Sequence, residues 1–181
     1  VKWTILFGGG LALFLYAMSQ QATAQDSPTP DIQPSDTPDT GSQMPVAVNR
    51  DALVLALAVG IANGEGYFRE GTIPRVRNNP GDIKVGGAIA AFRFDTQDQP
   101  VAGGGWSALF RQLNLILNGS SSYYNLNSTV HQMCQTWTAD PEGSAQLAGY
   151  IQCVVSSLND SGYPATEDTT LGALARGDFS G

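Results

Sequence analysis

A single glutamate stands at the end of a long apolar stretch. Residues 50–63 run through Leu53, Val54, Leu55, Leu57, Val59 and Ile61, Asn63-Gly64 closes the run, and Glu65 follows. Such a stretch predicts a central, buried helix, with Asn49 as its cap and a left-handed residue available at Asn63-Gly64. A carboxylate at the C-terminal end of that helix meets the negative pole of the helix dipole and loses water on burial. Both effects disfavour ionisation, so the Glu65 pKa is expected to rise. A carboxyl group still protonated near neutral pH is what a general acid requires. The plainer alternative is a solvated glutamate in a turn. A second carboxylate nearby would give such an acid a partner base. After the apolar helix the only other glutamates are Glu70, Glu142 and Glu167, and Glu70, in a loop beside Gly71, reads as solvated. Asp82 closes the turn Asn78-Asn79-Pro80-Gly81-Asp82. It either activates a water opposite the acid or caps its own turn through the backbone.

Aromatic and amide residues near these carboxyls are candidates to stack on and hydrogen-bond a ligand. Tyr67, two residues from Glu65, is the first stacking candidate, with Tyr123 and Tyr124 next. Trp106 and Trp137 fall on helical core faces and are read as packing residues. Asn78 and Asn79 either contact a ligand or hold the turn. Cys134 and Cys153 fall on either side of one turn between two helices, where a hairpin brings them together. A disulfide there stabilises by about 3 kcal/mol in the chain-entropy picture, the alternative being two buried thiols. With one histidine, His131, and two cysteines, the chain lacks the ligands of a Cys/His zinc site, and no calcium-loop spacing is present. No metal and no cofactor are expected.

The elements that must position these groups are mostly helical. Beyond residues 50–63, helices are predicted over 106–117, over 129–137 with Ser128 as cap, over 144–158, and a short one over 169–175. The turn between the third and fourth helices contains Pro141. Short β signals appear at 83–85 and 91–94. The fold class is therefore mainly α with a small β element. Four segments are expected. Residues 1–24 hold the uncharged apolar run 3–18 and a small-x-small step, Ala22-Thr23-Ala24. They read as a signal peptide or a membrane anchor, and either sends the rest out of the cytoplasm. Residues 25–45, with Pro28, Pro30, Pro34, Pro38 and Pro45, read as an extended tether. Residues 46–165 form the main domain, and 166–181 a short helix and tail.

Of the 181 residues, 42% are hydrophobic and 14% charged, enough apolar material for a core. The net charge of -7 argues against a nucleic-acid partner. Much of the acid lies in the tether, at Asp26, Asp31, Asp36 and Asp39, whereas Arg69, Arg75, Arg77 and Lys84 flank the Glu65 loop.

The ordered motifs IANGEGY, GTIP, RNNPGDI, FRFDT, GWSALFRQL and SSYY, spread over residues 53–158, resemble a family of lysozyme-like peptidoglycan-cleaving domains. Phage and bacterial muramidases and lytic transglycosylases carry such domains. The resemblance implies a lysozyme-like fold in which the first helix delivers Glu65, the catalytic acid, to a cleft. Asn79, Pro80 and Gly81 match the loop facing it, and Tyr150 matches loosely an aromatic that closes the site. The turn around Trp137 to Gly143 departs from the more proline-rich family pattern. The implied partner is the peptidoglycan glycan strand, with a membrane joining through residues 3–18 where these stay uncleaved. If Asp82 is structural, a single acid remains, which suits the transglycosylase route; if it activates water, the enzyme is a hydrolase. A glycan-binding or virion structural module that keeps the fold without catalysis is the alternative.

Overall fold

The computed structural model describes residues 48–179. The apolar run 3–18, the small-x-small step and the tether lie outside the described residues. Six helices and one small hairpin follow in order. Helix α1 spans Arg50–Gly64, α2 Ile73–Val76, strand β1 Lys84–Val85, strand β2 Ala88–Ile89, α3 Gly105–Leu117, α4 Val130–Thr138, α5 Ala145–Asp160 and α6 Leu171–Arg176. The described chain is mainly helical with one two-stranded sheet. Among the described residues no helix is long and apolar enough to cross a membrane.

Helix α1 is the axis of the core. Asn49 caps it, its side chain accepting from the Ala52 amide at 3.2 Å, and Leu53, Leu57 and Ile61 are wholly buried. Its tightest neighbour is α5. A Cβ at Gly60 would stand 2.7 Å from the Val154 Cα, and one at Gly64 would stand 2.6 Å from the Tyr150 ring. One turn earlier, Ser157 Oγ donates to the Ala56 carbonyl at 2.7 Å. Ala56, Gly60 and Gly64 therefore form a small-residue ridge, four residues apart, into which α5 settles. Helix α3 covers another side of α1 with Trp106, Leu109, Leu113 and Ile116. Helix α6 closes the far end, with Leu171 and Leu174 wholly buried. The chain pairs Thr129 with Thr170 beside it, and the Leu171 amide donates to the Ser128 carbonyl at 2.9 Å.

Several boundaries differ from expectation for local reasons. The helix at 130 is capped by Thr129 rather than Ser128, because Thr129 and Gln132 exchange hydrogen bonds in a capping box. Strand β1 pairs antiparallel with 88–89 instead of 91–94. Gly86 and Gly87, at φ +61° and +83°, make the tight turn that fixes this register. Residues 91–94 lie alongside other backbone instead: the Phe92 amide donates to the Arg77 carbonyl at 3.0 Å, and Arg93 bridges Gly104. The first helix ends at Gly64 as expected, but its left-handed residue is Gly66, not Asn63 or Gly64. Gly66 takes φ +71°, its amide bonds to the Asn63 carbonyl, and the Tyr67 amide bonds to that of Ala62 at 2.8 Å. That reciprocal pair is a Schellman motif, and it holds Glu65 as the last residue before the turn.

Candidate active site

Glu65 leaves the end of α1 into a cleft of about 850 Å³. The opposite side of the cleft is the loop at Gly81, Asp82 and Lys84, and its far wall is built from Tyr124, Trp137 and Asp140. Tyr150, from α5, donates its hydroxyl hydrogen to Glu65 Oε1 at 3.0 Å. Gly64 makes this contact possible, since any side chain there would occupy the space of the Tyr150 ring. The Glu65 pKa is raised to about 7. Burial is the main cause, and the nearby charges of Asp82 and Asp140 add to it, while the Tyr150 hydrogen bond and Lys84 act in the opposite sense. Tyr150 itself is pushed well up by burial and by the neighbouring Glu65 charge, so it stays a donor.

Asp82 faces the same cleft. Its backbone sits in the left-handed region at φ 45°, and its Oδ1 is buried with no hydrogen-bond partner. Burial raises its pKa, and Lys84 and Arg77 work against that rise. The loop that carries it is braced from beneath. Asn79, wholly buried, donates to the carbonyls of Ile83 at 2.9 Å and Ala90 at 3.0 Å, and accepts from the Ile83 amide at 2.8 Å. From above, Trp137 Nε1 donates to the Gly81 carbonyl at 3.1 Å.

Tyr67, expected to stack on a ligand, is scaffold instead, and Asn78 and Asn79 take the turn-holding one of their two readings. Tyr67 is 3% exposed, stacks edge-on against Trp106, and donates its hydroxyl to Asn78 Oδ1 at 2.6 Å. Asn78 passes the connection on, donating to the Arg93 carbonyl and to Asp95 Oδ1. Asp95 in turn accepts from the amides of Trp106 at 3.0 Å and Ser107 at 3.1 Å, which anchors the start of α3. Asn79 holds the turn, as above. The burial that makes these residues good braces removes them from the cleft. Tyr124 and Tyr150 do line it, as does the exposed Tyr123.

The cysteines are likewise unbridged. Cys134 is a fully buried free thiol, pushed up to about 12 by burial, and Cys153 is a half-buried free thiol that lines the cleft. The expected disulfide is not formed in this structure, although Cys153 lies near enough to add to the rise in Cys134. Glu70 is exposed, as its loop position suggested. His131 bonds to Glu142 at 2.9 Å and Glu167 at 3.1 Å, away from the cleft.

Lys84 and Arg69, expected beside the Glu65 loop, line the cleft, whereas sequence reasoning missed Trp137, Asp140 and Cys153 as lining residues. Trp137 lies within 6.2 Å of Tyr124, ring to ring, and together they make an aromatic wall. Its helical spacing hid this, since it sits at the last turn of α4, where one side of the helix is covered and the other opens. Among the described residues no cluster of histidine, cysteine and carboxylate groups is arranged to hold a metal. The arrangement comprises a carboxyl poised to give or take a proton, a second carboxyl across the cleft, and an aromatic wall. Comparison with protein-family models, with curated proteins and with solved structures finds no match to this chain.

Proposed function

We propose that this chain is an exported or membrane-tethered enzyme with a lysozyme-like fold, and that it cleaves the glycosidic bond between N-acetylmuramic acid and N-acetylglucosamine in peptidoglycan. The observation that carries the reading is Glu65: a carboxyl with a pKa near 7, in an 850 Å³ cleft, with an aromatic wall and a tyrosine donor on its own oxygen. The motif resemblance across residues 53–158 supports it.

In the transglycosylase route, protonated Glu65 gives its proton to the bridging oxygen as the glycosidic bond breaks. The resulting carboxylate then takes the proton of the muramyl 6-hydroxyl, whose oxygen closes on the anomeric carbon to form the 1,6-anhydro ring. Glu65 ends the cycle protonated, and no second carboxylate is needed. Trp137 and Tyr124 offer apolar faces to sugar rings, and Tyr150 holds Glu65 in one orientation. A hydrolytic route is favoured by one observation, the unpartnered Oδ1 of Asp82 across the cleft. There Asp82 would take a proton from a water attacking the anomeric carbon.

The test is to incubate the chain with bacterial sacculi and weigh the soluble fragments, beside a Glu65→Gln control. Anhydromuramyl ends, lighter by one water than reducing ends and absent from the control, are the expected result. Fragments with hydrated ends would reassign the enzyme as a muramidase. In that case Asp82→Asn should slow it by about a hundredfold or more, whereas a transglycosylase should tolerate the change within about tenfold. Sacculi that bind the protein and release nothing would overturn the enzymatic reading.

A further inference from the structure

Two asymmetries away from the aromatic wall coincide on one stretch of chain. Residues 66–94 carry Arg69, Arg75, Arg77, Lys84 and Arg93 against two carboxylates, Glu70 and Asp82. The other described residues carry three cations, Arg50, Arg111 and Arg176, against ten carboxylates. The same stretch holds most of the large apolar side chains left in solvent: Phe68, Ile73, Val76, Val85 and Phe94, with Val76 75% and Phe94 72% exposed.

These residues are neighbours in the fold. Ile73 and Val76 lie one turn apart on α2. The strip before Phe94 is tied to the end of α2 by the Phe92 amide on the Arg77 carbonyl and by the Asn78 side chain on the Arg93 carbonyl. Phe68 packs its ring 6.1 Å from that of Trp106, whose amide is held by Asp95, the residue after Phe94. Arg75 lies over the Tyr67 ring and Arg77 donates to the Ile89 carbonyl, contacts that leave their charges without a carboxylate partner. The ion pairs of His131 with Glu142 and Glu167 involve none of these cations. Phe68, Ile73, Val76 and Phe94 are not among the residues that line the cleft.

We infer that this lobe, α2 with the strip at 92–94, docks on a bilayer rich in anionic phospholipid. Exposed phenyl and aliphatic groups call for an apolar phase, and arginines beside them call for phosphate at its boundary. The headgroup region of an anionic membrane supplies both within a few ångströms. A soluble anionic polymer would satisfy the arginines and leave Val76 and Phe94 in water. Docking of this kind does not depend on the glycan-cleaving reading, and it is separate from any anchoring by residues 3–18.

Hydrogen exchange on the full chain, read by mass spectrometry, tests it peptide by peptide. Vesicles of phosphatidylcholine containing about one third phosphatidylglycerol are compared with pure phosphatidylcholine, near physiological salt. Peptides covering 68–77 and 92–94 are expected to exchange at least about fivefold more slowly on the anionic vesicles only. Val76→Asp with Phe94→Asp should abolish that protection, as should Arg75→Gln with Arg93→Gln. All four side chains are exposed, so circular dichroism should remain unchanged. Equal protection on both vesicles, or protection that survives both double variants, overturns the proposal. So does the same protection from soluble polyphosphate, which would assign the lobe to a polymeric phosphate.

Discussion

Glu65 and Tyr150 act against each other on one proton. Burial and the charges of Asp82 and Asp140 keep the proton on Glu65, while the Tyr150 hydroxyl, donating at 3.0 Å, favours its release. Removing that hydroxyl with Tyr150→Phe should therefore raise the Glu65 pKa further. For a general acid, activity is lost as pH climbs past its pKa, so the alkaline limb of kcat/KM should move to higher pH. A pH–rate profile checks this, and a limb that moves down would contradict the assignment. Glu65 was legible because a carboxylate after an unbroken apolar run is unusual whatever surrounds it. Tyr67 was misplaced, and Asn78 and Asn79 were left open between ligand and turn, because proximity in sequence to Glu65 and Asp82 says nothing about direction. The Schellman turn at Gly66 sends Tyr67 inward, and the left-handed backbone at Asn78, φ 47°, turns its amide towards Asp95.

At the scale of elements, the glycines of α1 set how near α5 can come. Gly60→Ala would push against the Val154 backbone, which cannot rotate away, and should destabilise by about 1–3 kcal/mol in urea unfolding. Gly64→Ala meets the Cδ2, Cε2 and Cγ atoms of the buried Tyr150 ring, which must shift as a body. It should destabilise by a similar amount and lose more activity than Gly60→Ala as Tyr150 leaves Glu65. Asp95→Asn replaces a buried acceptor of three hydrogen bonds with an amide that presents a donor to one of them, and should destabilise by about 1.5–3 kcal/mol. Helix positions were largely readable from apolar spacing, and Asn49 from its capping chemistry. The hairpin was not, because two residues a side give no periodicity, and its register rests on Gly86-Gly87. Asp95 was equally silent, since its partners are backbone amides eleven and twelve residues away.

For the whole molecule, three titrating groups push stability in one direction. Glu65 releases its proton near pH 4.5 when unfolded and near 7 when folded, so the folded state holds more protons between those values. Stability attributable to this group falls as pH rises through that window, by up to about 3 kcal/mol. Asp82, also raised, adds to the fall. His131 is raised by its hydrogen bonds to Glu142 and Glu167, so its contribution is present in acid and fades as pH passes its folded pKa. The Tm should accordingly be several degrees higher at about pH 5 than at about pH 8. Glu65→Gln should remove most of that difference by stabilising the protein on the alkaline side only, by on the order of 2 kcal/mol, in calorimetry. A gain of equal size at both pH values would place the Glu65 carboxyl in ordinary solvent. Composition foretold a core. It did not foretell the split between a basic lobe and an acidic remainder, because net charge averages over the chain.

The unbridged sulfurs also make the molecule its own reporter. The chain has two cysteines; one is sealed and held as a neutral thiol, and Cys153 borders the cleft. A maleimide dye added under mild conditions would attach at one place without any engineered residue. Its emission would then follow whatever comes and goes beside Glu65. A molecule already seated there would slow the attachment, turning labelling speed into a gauge of occupancy for candidate ligands of every class.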